Sequence, residues 1–176
     1  ASKAIDSGYA ELDGWLAWSY LQLGEQQSST GSDTAADTFR RALAYAERAA
    51  RRERARDKNA YHMALRLALV QYRSQHLSLR ERLTAGKNTV QAIVDRTGTK
   101  DQPAAWALRG WGHYGLGGEE NVDTSLQDFQ KVVNDIGDAE DHPWSLWADF
   151  SRECLAAIKK WRSLEEKSVE FTDASM

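Results

Sequence analysis

A few groups of residues in this chain have the types to do chemistry, and their spacing decides which chemistry is open to them. Gly110-Trp111-Gly112-His113-Tyr114-Gly115 spells G-x-G-x-x-G, the pattern with which a strand-to-helix turn brings backbone N–H groups against a dinucleotide's phosphates. That use needs a strand before the glycines. Here the helix-forming run Ala104 to Leu108 comes first and a loop follows, so the glycines read as places where helices approach closely. His62, His76, His113 and His142 could bind zinc by type, but none pairs four residues from another and no H-E-x-x-H occurs, so no metal site is expected. The single Cys154 excludes an internal disulfide or a multi-cysteine metal site. Beside Leu155 and Ile158 it reads as a small core residue rather than a nucleophile. Glu119 and Glu120 stand where a helix opens and complement its positive end. No cofactor is expected, and the chain does not read as an enzyme.

The elements that must position these residues are long helices. With 176 residues, 41% hydrophobic, and only 2 Pro, the chain suits one domain over 1–176 with a substantial core and few helix breaks. No apolar run approaches the ~18 residues of a membrane span, and residues 1–8 are small and polar, unlike a leader with an apolar core. The chain reads as soluble, with the cytoplasm preferred and a removed signal peptide left open. Its net charge of −3 hides a partition: −5 over 1–39, +8 over 40–82, and −6 over 83–176. The basic third could attract an anionic partner, nucleic acid included, or be a solvated helix surface. Glu47, Glu53, Asp57 and Glu81 are interleaved with its arginines and favour the second.

The periodicity predicts a first helix from Tyr9 to Leu23, stopped by Gly24 as a left-handed C-terminal residue, with Glu25 to Ser32 as a polar loop. A second begins after Asp33 or Thr34 and runs through Ala35, Phe39 and Ala42 into the charged stretch Arg51 to Arg56. A third spans Ala60 to Gln75 and a fourth Leu79 to Arg96, the latter with Ala85, Thr89 and Ala92 inward. A fifth is opened by Pro103, a sixth carries Ser125, Phe129 and Val132, and a seventh runs from Pro143 to Leu164. Residues 165–176 do not read as a full further helix.

The stretch Ala104 to Val133 resembles one tetratricopeptide (TPR) repeat, a helix-turn-helix of ~34 residues, through Trp106, Gly110, Tyr114, Leu116-Gly117, Ser125, Phe129 and Val132. Equivalent small residues recur at Ala17, Ala68 and Ala148. Arg109 occupies the family's Leu slot and Asp13 its Trp slot. The resemblance implies an all-α, TPR-like α-α superhelix of about three irregular helix pairs with a C-terminal capping helix. It also implies a concave groove lined by the first helix of each pair: Trp18, Leu21 and Gln22; His62, Leu65, Leu69, Tyr72 and Arg73; Trp111 and Tyr114; Asp149 and Arg152. Trp15, Trp106, Trp144 and Trp147 are assigned to packing between helices. A scaffold of this kind binds a protein or peptide segment. A dedicated secretion chaperone is the alternative within the same resemblance, and nucleic-acid binding through 40–82 is the alternative from charge. Oligomeric state is left open.

Overall fold

A computed structural model describes residues 2–52, 58–97, 103–138 and 143–173. Among them it contains seven helices and no strand: α1 (Ser2–Ser29), α2 (Ala35–Arg52), α3 (Lys58–Arg73), α4 (Leu79–Thr97), α5 (Pro103–Leu116), α6 (Glu119–Ile136) and α7 (Ser145–Asp173). The chain groups into two units, Ala1–Thr99 and Lys100–Met176. No helix among the described residues is long and apolar enough to cross a membrane. Arg54 and Arg56 of the basic third, and His142, lie outside the described residues.

In the first unit α1 and α2 form an antiparallel hairpin. Asp13 meets Arg48, Tyr20 stacks on Tyr45 with centroids 5.4 Å apart, and Gly24 faces Phe39, so the contacts converge on the turn. On α2, Ala35, Phe39, Ala42, Ala46 and Ala49 are buried at steps of three and four, a single apolar stripe. Gly24 is not the end of α1, as its type suggested. It is buried inside the helix, where a Cβ would lie 3.0 Å from the Phe39 ring. The expected polar loop is therefore helical through Ser29, and the chain turns instead at Gly31, whose φ of 71° suits glycine.

The second hairpin, α3 and α4, has a defined start. Glu81 accepts from the backbone N–H of Ser78 at 2.9 Å, and Ser78 Oγ accepts from the Glu81 N–H at 3.3 Å, a reciprocal capping box. The inward register of α4 is one residue later than expected. Gly86, Val90 and Ile93 are buried, Ala92 is exposed, and Thr89 donates to Gln71 at 2.7 Å. The reason is Tyr72, whose ring occupies the space beside Gly86: a Cβ there would come within 2.5 Å of it. After α3, His76 stacks on Phe39 at 6.1 Å, and burial together with the nearby Arg40 charge lowers its pKa below the usual 6.5.

The second unit holds the hairpin of α5 and α6, turned at Gly117 and Gly118 with φ of 69° and 82°, and α7 packed against both. Gly110 faces Phe129, with a Cβ position 3.1 Å from the ring. Ala107, Val132, Ile136 and Ala148 form one buried cluster, and Val122, Phe129, Leu155 and Ile158 another. Ala17, Ala68 and Ala148 are at most 1% exposed, as expected of the small positions. α7 continues to Asp173, past the expected end at Leu164.

Two outcomes follow from this packing. Gly86→Ala should lower the urea midpoint, because a clash with a buried ring, worth about 1–3 kcal/mol, outweighs the roughly 1 kcal/mol that Ala gains in helix propensity. An unchanged midpoint would contradict the Gly86–Tyr72 contact. Because the folded pKa of His76 is lowered, the unfolded chain takes up the proton first as pH falls below 6.5. The stability present above that value is then lost as pH falls through the folded value. Thermal midpoints between pH 7.5 and 5 should fall less steeply in His76→Gln than in the parent.

Candidate functional site

In the first unit, α1 and α3 lie side by side in the same direction, since Gly14, Trp18 and Ser28 meet Arg66, Arg73 and Gln75 in ascending order. Their shared outer face is the candidate surface. On α3, His62, Arg66, Leu69 and Arg73 follow one another at steps of four, three and four, which keeps them on one side of the helix. On α1, Trp15, Trp18 and Gln22 line the same side. The Arg73 guanidinium lies 5.3 Å from the Trp18 ring centroid and donates two hydrogen bonds to Glu25, at 2.8 and 2.7 Å. The Arg66 guanidinium lies 5.2 Å from the Trp15 ring, a cation–π geometry. Gln22 and His62 are exposed and Leu69 is half-buried.

Three residues expected on this surface are elsewhere. Tyr72 is only 8% exposed and Leu65 is equally buried, because α4 covers that side of α3 and its glycine admits the Tyr72 ring. Leu21 is in the core with Ala17 and Phe39. Trp15, expected to pack between helices, is instead 61% exposed.

In the second unit, Trp111 and Tyr114 of α5 come together with centroids 6.4 Å apart, and Phe150 of α7 approaches Trp111 at 5.8 Å. Trp147 stands edge-on to Phe150 at 6.2 Å, so four aromatic rings form one patch with Trp111 41% exposed. Arg152 points away from it. It pairs with Asp149 at 2.7 Å and with Asp138 at 3.1 Å, and donates to the Gly137 carbonyl that ends α6. Sequence reasoning passed over Phe150 and Arg66. Both carry a readable signal: Phe150 continues the spacing Trp147, Phe150, Cys154, Ala157, Trp161 along α7, and Arg66 falls in the His62–Arg73 series.

Electrostatics here follow one recurring arrangement, an arginine laid over a ring and held by a carboxylate. Arg48 over Tyr45 at 4.6 Å is held by Asp13 at 2.8 and 2.5 Å, and Arg109 over Trp106 at 4.4 Å by Asp128 at the same two distances. In each pair it is the carboxylate, Asp13 or Asp128, that is buried. The hydrogen bonds from Arg48 to Asp13 raise the arginine's pKa further. Burial lifts the Asp128 carboxyl above its ordinary value even though Arg109 donates to both oxygens. In the basic third, Arg40, Arg48, Arg51 and Arg73 each meet a carboxylate, which leaves less free positive charge than the sequence count.

The remaining reactive residue types are engaged otherwise. The glycine pattern 110–115 lies inside α5 rather than at a strand end. His113 meets Asn121 at 2.8 Å. Burial pushes the Cys154 thiol up to about 11, so it stays protonated at neutral pH. A cleft of about 560 Å³ between α6 and α7 is floored by Leu126 and Leu155 and rimmed by Lys131, Asp135 and Lys159, with Lys131 and Asp135 paired at 3.1 Å. Comparison of the chain with protein-family models, curated proteins and solved structures finds no match.

The two ion pairs on the hairpins differ in their surroundings, and so should their deletion. Asp128→Ala strands Arg109, whose side chain is only 13% exposed, and should cost about 3–5 kcal/mol in urea unfolding. Asp13→Ala should cost less, because the Arg48 side chain, 49% exposed, can be hydrated in place. Equal losses would contradict this account.

Proposed function

We propose that this chain is a non-enzymatic, TPR-like scaffold that binds a protein or peptide segment on the outer faces of its first helices. The TPR-like reading is supported by a buried small residue on the first helix of each hairpin, Ala17, Ala68 and Gly110, and by a buried series at steps of four and three on the second: Ala35, Phe39 and Ala42; Gly86, Val90 and Ile93; Ser125, Phe129 and Val132. From Ala17 to Ala35, and again from Ala68 to Gly86, the interval is eighteen residues, which the register expected for α4 did not reveal. The parallel neighbours α1 and α3, and α5 and α7, are the first helices in this reading.

The binding reading is carried by one observation. Trp15 and Trp111 remain 61% and 41% exposed although neighbouring residues fix their position, Arg66 for one and Tyr114 and Phe150 for the other. Exposed aromatic area of this kind, flanked by a few polar groups such as Gln22, His62 and Arg73, is what anchors a peptide. A dedicated secretion chaperone would use the same surfaces for a particular client. Nucleic-acid binding through 40–82 is less favoured, because so many of its arginines already hold carboxylates.

Panning a random peptide display library against the full chain tests this. Selected peptides should lose about 2 kcal/mol or more of binding energy to Trp15→Ala or to Trp111→Ala, while both variants keep the parent's thermal midpoint. Peptides indifferent to both substitutions would place the binding surface elsewhere.

A further inference from the structure

Four arginines among the described residues lie over aromatic rings: Arg48 on Tyr45, Arg66 on Trp15, Arg73 on Trp18, and Arg109 on Trp106. Three of them are completed by a carboxylate that takes two hydrogen bonds, from Asp13, Glu25 and Asp128 respectively. Arg66 has the ring but no carboxylate from the described residues. Its Nη1 is buried without a hydrogen-bond partner, against Gly14, where a Cβ would lie only 2.6 Å from that atom. The guanidinium is therefore seated on α1 by a glycine and capped by a ring. A guanidinium offers five N–H donors in a fixed plane, and a group held this firmly loses little further freedom when an acceptor arrives.

We propose that Arg66 and Trp15 form the recognition point for an acidic side chain, Asp or Glu, on a bound protein segment, which supplies the carboxylate that the chain itself supplies at the other three positions. The inference rests on the peptide-binding reading above and narrows it. Charge complementarity selects the carboxylate, since the Arg66 cation is paired with none among the described residues. The exposed ring of Trp15, with Leu12 one turn before it and also exposed, selects a segment with an apolar residue next to the acid. Arg73, by contrast, is closed off by Glu25 and contributes packing.

The test uses the full chain and a random peptide display library, with enriched peptides synthesised and titrated against variants. Enriched sequences should carry Asp or Glu beside an apolar residue, and should bind Arg66→Gln about tenfold more weakly or worse, as for a lost charged hydrogen-bond pair. Arg66→Lys should recover part of the loss. Gly14→Ala, which displaces the guanidinium without altering charge, should also weaken binding, and it covers the case in which Arg66→Gln unfolds. Replacing the peptide's acid by Arg should restore binding to Arg66→Glu. Peptides that need Trp15 or Trp111 but bind Arg66→Gln and Gly14→Ala unchanged would overturn this inference and leave the peptide-binding reading standing. Peptides needing none of these residues would overturn both. A labelled oligothymidylate that bound through Arg66 where acidic peptides did not would also overturn it, replacing the carboxylate by a phosphate.

Discussion

Each helical hairpin of this chain is drawn together where a glycine of one helix receives an aromatic ring from the other: Gly24 and Phe39, Gly86 and Tyr72, Gly110 and Phe129. Without a Cβ the backbone can approach a ring to a distance that any other residue would block, and the ring then fills the space between the helices. Glycine within a helix is unfavourable by roughly 1 kcal/mol against alanine, so its use at three such places is explained by the packing it permits. The buried stripes on α2, α4 and α6 are in register with these contacts, and what each helix leaves outside is decided by them. Once Tyr72 is committed to Gly86, the face of α3 opposite α4 is left to His62, Arg66, Leu69 and Arg73.

That division explains why the polar residues of the candidate surface are arginines over rings. A guanidinium can cover the flat face of an indole or phenol and still reach a carboxylate at its edge. Arg48 and Arg109 use this to tie the two helices of a hairpin. Arg73 uses it to tie α3 to α1. Four arginines in the described part of the middle third are thus engaged with carboxylates, and the sequence count overstates how much of its charge is available to an anionic partner.

How much of this was legible beforehand depends on how local the deciding contact is. The small and aromatic residues of α2 and α6 were readable because a spacing of four and three is fixed by helix geometry. α4 was misread by one residue because Ala85 and Gly86 are both small and stand together, and only the Tyr72 ring, on another helix, separates them. Gly24 was misread because a helix-ending glycine and a close-approach glycine look alike until Phe39 is known to face it. Trp15 and Trp18 are less than one helical turn apart, so their exposure depends on where α3 crosses α1. Which arginine finds a carboxylate was beyond spacing altogether, since the partners of Arg48 and Arg73 lie on a helix 35 and 48 residues away.

The central claim is that Trp15 and Trp111 are held in place, uncovered, and available for a partner. Hydroxyl-radical footprinting of the free chain, with oxidation of the seven tryptophans read peptide by peptide in a mass spectrometer, addresses it most directly. The account predicts fast oxidation at Trp15 and Trp111 and slow oxidation at Trp106 and Trp144, with protection of Trp15 or Trp111 on adding a selected peptide. Slow oxidation of Trp15 and Trp111 in the free chain would contradict it, by showing that the chain already covers them.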